Sequence, residues 1–207
     1  MLGVPNLAPQ GDAGKACTSV VHEFRKPRVN QQSPCEAEVL FHTAPTRLAI
    51  LKEWVKDVFI FEHSDAQLGD DHFEQEKKAS DTAIEGLFSL FCDRDECQDS
   101  DSIKEFLSTS KSEDDEGTIS TLAGWTEELL SSLEAVSGKV SISGITPQDI
   151  QAQIRRYTRH QKSRDINGRL VPSPWPFVDV TRYSSPPALF CLFLLLRYLS
   201  CFHSVLR

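Results

Sequence analysis

Positive charge is in short supply in this chain. Its 22 Lys and Arg stand against 30 Asp and Glu, a net charge of −8. A general nucleic-acid binder needs clustered cations to neutralise phosphates, so no specific nucleic acid is expected as a partner. Uninterrupted apolar sequence is equally scarce. A membrane-spanning helix requires about 20 apolar residues, whereas the run Ala188 to Leu196 is broken by Arg197 after nine. Extending it to Leu206 places that arginine near the middle, at a cost of about 2.5–3.5 kcal/mol. Membrane contact through 188–207 is therefore disfavoured against a sticky apolar tail. A tail-anchored protein stands as a third functional reading.

Paired metal-ligand spacings and catalytic triads are also missing. Cys17, Cys35, Cys92, Cys97, Cys191 and Cys201 follow no secretory leader, in a chain too long to need disulfide staples. They read as reduced thiols of an intracellular protein, cytoplasmic or nuclear. Cys92 and Cys97 form the one close pair in the body of the chain, but no second pair completes a zinc spacing. The six histidines are isolated, and no Ser/His/Asp, Cys/His or paired-carboxylate arrangement emerges. The acids crowd into one polar stretch with no apolar wall to raise their pKa: from Asp93 to Glu116 there are ten acidic and three basic residues.

What is present begins with alternation. Val20, His22 and Phe24 against Ser19, Val21 and Glu23, then Ala37, Val39 and Phe41 against Glu36, Glu38 and Leu40, have the period of half-buried strands. The polar, proline-marked stretch Lys26 to Pro34 between them predicts a hairpin with a long loop. From Thr43 the period becomes helical. Pro45 suits a first helical turn, and Leu48, Leu51, Val55, Val58 and Phe59, with Trp54, make one apolar stripe. Ile84, Leu87, Phe88 and Phe91 make a second, and Ser102-x-x-Glu105 has capping-box spacing for a short third helix. Residues 108–117 read as a solvated acidic linker. Leu122, Trp125, Leu129, Leu130, Leu133 and Val136 restore the stripe, which ends near Gly138. Thr146-Pro147-Gln148-Asp149 is a helix start, with a hydroxyl cap, proline at the first position and a carboxylate in the first turn. Arg155, Arg156, Arg159, Lys162 and Arg164 make the polar side of that helix basic, read as a solvated face. Asn167-Gly168 signals a turn, and proline-marked extended chain follows from Leu170 to Val180.

Gly11-Asp12-Ala13-Gly14-Lys15-Ala16 imitates a phosphate-binding loop, but Pro9 stands at the first glycine position and Ala16 replaces the required hydroxyl. Lys15 is accordingly a solvated loop lysine. The more informative residues follow it. Leu2 to Pro9 and Gly14 to Phe24, including Thr18 and Ser19 before a β-branched run, Glu36-Ala37-Glu38-Val39-Leu40-Phe41-His42, and Ser173-Pro174-Trp175-Pro176-Phe177-Val178-Asp179-Val180 together resemble the large dynamin-like GTPases of the fungal kind, related to the nuclear GTPase of germinal-centre B cells. The resemblance covers roughly residues 2–182 and is patchy through the helical middle. It implies that the first stretch is switch I entering a strand, that the second is the next strand, and that the third approaches switch II.

On that resemblance the fold class is α/β, a partial P-loop GTPase domain, although mostly helical by residue count, with a small β-hairpin and one further strand. It implies four segments: 1–42, a switch I-like loop and hairpin; 43–165, a helical insertion carrying the acidic linker; 166–182, an extended segment; and 183–207, an apolar tail outside the family pattern. Thr18 would be the Mg²⁺-coordinating switch threonine, with Ser19 beside it as the other nucleotide-sensing hydroxyl. GTP and Mg²⁺ are the parent family's cofactors. With no intact P-loop and no Asp-x-Pro-Gly motif, this chain is expected to be a catalytically silent fragment with no catalytic residue or cofactor of its own. A full-length relative or another protein is the expected partner. A non-enzymatic helical interaction module is the competing reading.

Overall fold

The computed structural model describes residues 20–27, 30–64, 71–109, 112, 115–133, 135, 137–158 and 164–184. These residues mix helix and strand, with helix in the majority and one small sheet of four strands. They divide into two compact units. The described residues of 1–41, 139–159 and 178–207 make the first, and those of 42–138 and 160–177 make the second.

The first unit is the sheet. Strand β1 (Val21–Arg25), β2 (Cys35–Phe41), β3 (Lys139–Gly144) and β4 (Val178–Ser184) lie in the order β1-β4-β2-β3. β4 runs parallel to β1 and antiparallel to β2, and β2 runs antiparallel to β3. The period-2 alternation read from β2 holds: Cys35, Ala37, Val39 and Phe41 are buried, while Glu36, Glu38 and Leu40 are half-buried. Register puts His22 beside Thr181, Thr181 beside Val39 and Val39 beside Val140, so these residues share one face. A bulge between Leu40 and Phe41 leaves the exposed Asp179 as the extra residue of β4.

Helix α5 (Pro147–Thr158) belongs to this unit and contacts β2 and β3. Its start is reciprocal. The Asp149 N–H donates to Thr146 Oγ1 at 3.2 Å, and the Thr146 N–H donates to Asp149 Oδ2 at 2.9 Å, which holds the Asp149 carboxyl below its ordinary range. Pro147, Ile150, Ile154 and Tyr157 are its buried side chains, and Tyr157 meets Phe41 edge-on with ring centroids 6.3 Å apart.

The sheet corrects three expectations. β1 and β2 do not form a hairpin, because β4 lies between them and pairs with both. The long intervening loop fixes no register, and the partner that satisfies both backbones comes from far along the chain. β3 is an unexpected strand, although Val140 and Ile142 alternate with Lys139, Ser141 and Ser143 at the strand period. The ordered strand β4 also runs to Ser184, past the expected boundary at residue 182, because Tyr183 is buried on the sheet face against Phe24, with rings stacked at 5.0 Å.

The second unit is helical: α1 (Ala44–Glu62), α2 (Asp71–Phe91), α3 (Ser100–Ser108) and α4 (Glu116–Ser132). Thr43 caps α1 by accepting from the Thr46 N–H, and Pro45 sits in the first turn, as the sequence indicates. The cap of α3 is Asp99 rather than Ser102: its carboxylate accepts the Ser102 N–H at 2.8 Å, so Ser102 is inside the first turn. α4 ends at Ser132, short of Gly138, and the Ser137-Gly138 turn that precedes β3 has positive φ at both residues.

Leu51, Val55 and Val58 of α1, Ile84, Leu87, Leu90 and Phe91 of α2, Ile103 and Leu107 of α3, and Leu122 of α4 form the core of this unit. Trp54 stacks on the buried Phe177 at 6.3 Å. Trp125 is enclosed by Phe91 and Phe106, each at 5.5 Å, with the Arg94 guanidinium over its ring at 5.5 Å. Both tryptophans serve packing, as their register with neighbouring leucines implies. Where α2 ends, the orphan carbonyl of Ser89 accepts the Ser173 N–H at 2.7 Å, while Ser89 Oγ donates to the Ser173 carbonyl at 3.2 Å.

Two helical glycines have opposite surroundings. A Cβ on Gly86 would sit 2.4 to 2.8 Å from three carbons of the Trp54 indole, whereas a Cβ on Gly124 would have nothing within 4 Å. Gly86→Ala is expected to destabilise the protein by about 1–3 kcal/mol through overpacking against a rigid ring. Gly124→Ala is expected to stabilise it by about 0.5–1 kcal/mol, since alanine loses less backbone entropy in a helix. Urea unfolding of the two variants, compared at unchanged denaturant dependence, measures both signs.

Candidate functional site

Thr18 and Ser19, the hydroxyls expected to carry chemistry, lie outside the described residues. So do Lys15, the apolar tail 188–207, and Arg159 and Lys162 of the basic helix side; Arg155 and Arg156 are exposed on α5. Among the described residues, polar groups gather on the two faces of the β1–β4–β2 sheet.

On the face carrying the core, His22 of β1 meets two hydroxyls of β4. Thr181 Oγ1 hydrogen-bonds His22 Nδ1, and Tyr183 Oη lies 3.3 Å from the same nitrogen. Which of these groups donates follows the imidazole tautomer, since Nδ1 either donates its one N–H or accepts at its one lone pair. Thr181 has 0% of its surface exposed. Its hydroxyl therefore ties two parallel strands together and has no path to a substrate.

On the opposite face, charges form a ladder. Glu23 Oε2 accepts from Arg182 Nε and from Arg25 Nη2, both at 2.8 Å, and Lys139 Nζ donates to Glu38 Oε1 at 3.0 Å. The Arg182 guanidinium, then that of Arg25, holds the Glu23 carboxyl below its ordinary range. Register places Glu23, Arg182 and Glu38 side by side across three strands, the arrangement in which opposite charges on neighbouring strands attract. Beside the ladder, Gln31 braces the loop before β2: its Nε2 donates to the Ser33 carbonyl at 2.7 Å, and Ser184 Oγ donates to its Oε1 at 2.6 Å.

Arg25, Lys26, Glu36, Ala37, Glu38, Arg182 and Ser184 line a shallow cleft of about 70 Å³ on this face. Small-molecule sites typically occupy about 300–1,000 Å³, so the cleft accommodates water or one side chain rather than a nucleotide. Its charges are of both signs and partly neutralise one another.

Among its described residues, the helical unit supplies no second cluster of reactive groups. Burial pushes the Cys92 thiol up to about 11 and the Cys97 thiol up to about 12, with the neighbouring carboxylates of Asp93 and Glu96 adding to the effect. Thiols held protonated in this way are poor nucleophiles. Among the described residues, no group of three or more His, Cys, Asp or Glu is placed to hold a metal ion. Arg47 is buried, with Nη1 donating to the His42 carbonyl and Nη2 to Glu127 Oε1, each at 2.6 Å. It joins α1 to α4. No described helix is long and apolar enough to cross a membrane.

Comparison with family models, with curated proteins and with solved structures returns no match.

The cluster at His22 and the ladder at Glu23 were illegible in sequence because each joins residues 159 positions apart. The one available signal was that polar His22, Glu23 and Arg25 share a short strand with Val21 and Phe24.

The thiols make a pH prediction whose sign follows from the shift. Cys92 and Cys97 ionise later in the folded chain than in the unfolded one, so the stability linked to their protonated state is complete below the ordinary thiol range near pH 9. It is lost as pH climbs toward about 11 and about 12. Urea unfolding at about pH 8 and about pH 10 should show the native chain losing more stability than a Cys92→Ala/Cys97→Ala variant. A thiol-reactive dye should label Cys35, Cys92 and Cys97 only once denaturant is added. Equal pH dependence of the two proteins would contradict this assignment.

Proposed function

We propose that this chain is a strand-and-insertion fragment of a dynamin-like GTPase domain without GTP hydrolysis of its own. What supports the reading is one coincidence of sequence and topology. The three stretches that carry the resemblance, ending at Phe24, spanning Glu36 to His42 and spanning Ser173 to Val180, contribute to β1, β2 and β4, which are neighbours in a single sheet. Most of the sequence between β2 and β4 belongs to a separate compact helical unit, as an insertion in a nucleotide-binding domain would.

In sequence Thr18 lies three residues before Val21, the first residue of β1, where a switch hydroxyl would close on Mg²⁺ and a γ-phosphate. The 207 residues contain neither Gly-x-x-x-x-Gly-Lys-Ser/Thr nor Asp-x-Pro-Gly, so the groups that would cradle the phosphates and hold the metal are not supplied by this chain. GTP and Mg²⁺ are then cofactors of the parent domain, and the partner of this chain is a full-length relative. A second reading, a non-enzymatic interaction module, rests on the mixed-charge cleft at Arg25, Glu38 and Arg182, whose size suits a partner's side chain.

Two experiments test the proposal together. A fluorescent GTP analogue added with Mg²⁺ to the purified chain is expected to show no saturable binding and no turnover, and Thr18→Ala is expected to change neither. The transcript is expected to encode a P-loop upstream of Met1 and an Asp-x-Pro-Gly shortly after Arg182 in another frame. Saturable binding would contradict the claim of silence. A transcript without those motifs would remove the GTPase reading and leave the interaction module.

A further inference from the structure

Asn167 is the asparagine of this chain that precedes a glycine: Asn6 is followed by Leu7, Asn30 by Gln31 and Asn167 by Gly168. Asn167 and Gly168 are both exposed, at the tip of a short hairpin closed by a bridge between Arg164 and Leu170. Gly168 has no Cβ to shield its nitrogen, and even a Cβ built there would meet nothing within 4 Å. Asp165 organises the tip. Its carbonyl accepts the Gly168 N–H at 3.0 Å, and its Oδ1 accepts the Asn167 and Arg169 N–H groups, both at 2.8 Å. Gly168 closes the turn with a φ of 78°, which glycine adopts at no steric cost. Its N–H is thereby committed to Asp165.

We propose that Asn167 is a site of spontaneous covalent modification, in which the Gly168 nitrogen closes on the Asn167 side chain and converts it to aspartate and isoaspartate, at a rate set by opening of the Asp165 turn. In the closing step the Gly168 backbone nitrogen gives up its proton and forms a bond to Asn167 Cγ. The Cγ–Nδ2 bond breaks, and the side-chain nitrogen leaves as ammonia with that proton. The cyclic imide then takes up a water molecule. Water entering at Cγ breaks the new bond and leaves aspartate. Water entering at the backbone carbonyl carbon of Asn167 breaks the original peptide bond and leaves isoaspartate, with the chain routed through the side chain. No reagent besides water is consumed.

The turn that exposes this linkage also restrains it. The Gly168 N–H must leave the Asp165 carbonyl before its nitrogen attacks, so the native chain reacts only from a locally opened tip. The hydrogen bonds that Asp165 makes are lost together in that opening, along with the bond from Arg164 Nη1 to the Gly168 carbonyl at 2.6 Å, which holds the reactive population down by about tenfold or more. Either product places a second carboxylate beside Asp165, and isoaspartate lengthens the backbone of the tip by a methylene.

The test separates the turn from the linkage. The full chain is held at body temperature and mildly alkaline pH, in buffer and in parallel in guanidinium chloride. Peptide mass spectrometry locates the exchange of amide for carboxylate, and an isoaspartyl methyltransferase with a labelled methyl donor counts isoaspartate. Conversion is expected at Asn167 ahead of Asn30, about tenfold slower in the folded chain than in the unfolded one. Asp165→Ala is expected to bring the folded rate close to the unfolded rate with thermal unfolding unchanged. Asp165→Asn, whose amide oxygen accepts the same N–H groups, is expected to keep it slow. Gly168→Ala is expected to slow conversion in guanidinium, where the turn plays no part. Absence of conversion at Asn167 in the folded chain, conversion at Asn30 at an equal rate, a folded rate indifferent to Asp165→Ala, or a rise that only accompanies earlier global unfolding would overturn the proposal.

Discussion

The sheet depends on β4 occupying the place between β1 and β2. Its backbone pairs in parallel with Val21–Arg25 on one side and antiparallel with most of Cys35–Phe41 on the other, so it supplies the hydrogen-bond partners that both other strands need. It also supplies one member of each polar pair that crosses from β1: Thr181 and Tyr183 to His22, and Arg182 to Glu23. The whole of the helical unit is inserted in the chain between β2 and β4. Closing so long a connection is tolerable because loop entropy grows only with the logarithm of length. Such non-local pairing is, however, slow to form.

The two faces of this sheet divide the work. One buries Cys35, Ala37, Val39, Ile142 and Tyr183, with α5 contributing Ile150 and Ile154 to the core of the same unit. Fully burying a side chain of this size contributes about 1.5–3 kcal/mol, so this face is the larger source of stability. The other carries the Glu23, Arg182, Glu38 and Lys139 ladder, whose half-exposed pairs contribute less, at about 0.2–1 kcal/mol each. The ladder's stronger effect is on register: a one-residue slip of β4 would turn Arg182 into the apolar layer and Thr181 away from His22. Charge satisfied within the sheet is charge withdrawn from ligand binding.

How much of this was legible depended on how local the determinant is. The starts of α1 and α5 were readable because Thr43 with Pro45, and Thr146 with Pro147 and Asp149, act within four residues of sequence. The cap of α3 was misassigned to Ser102 because Asp99, three residues earlier, offers a carboxylate to the same first turn. Strand existence in β1 and β2 was readable from alternation, but their partner was not: alternation specifies a face, never a neighbour. β3 was legible by the same rule, since Val140 and Ile142 alternate with Lys139, Ser141 and Ser143, but the segment is short and follows directly on a helical stripe. For the site, sequence drew attention to Thr18 and Ser19, while the polar groups the structure brings together, His22 with Thr181 and Glu23 with Arg182, are united only by the return of the chain in β4.

Cross-strand contacts between backbone protons, observed by nuclear magnetic resonance in the intact chain, test the central place of β4 most directly. The topology predicts contacts linking His22 with Thr181 and Phe24 with Tyr183, together with contacts linking Ala37 with Tyr183, and slow amide exchange along Val180–Tyr183. Contacts running directly from Val21–Arg25 to Cys35–Phe41, with Val178–Ser184 exchanging freely, would describe a simple hairpin and contradict the account.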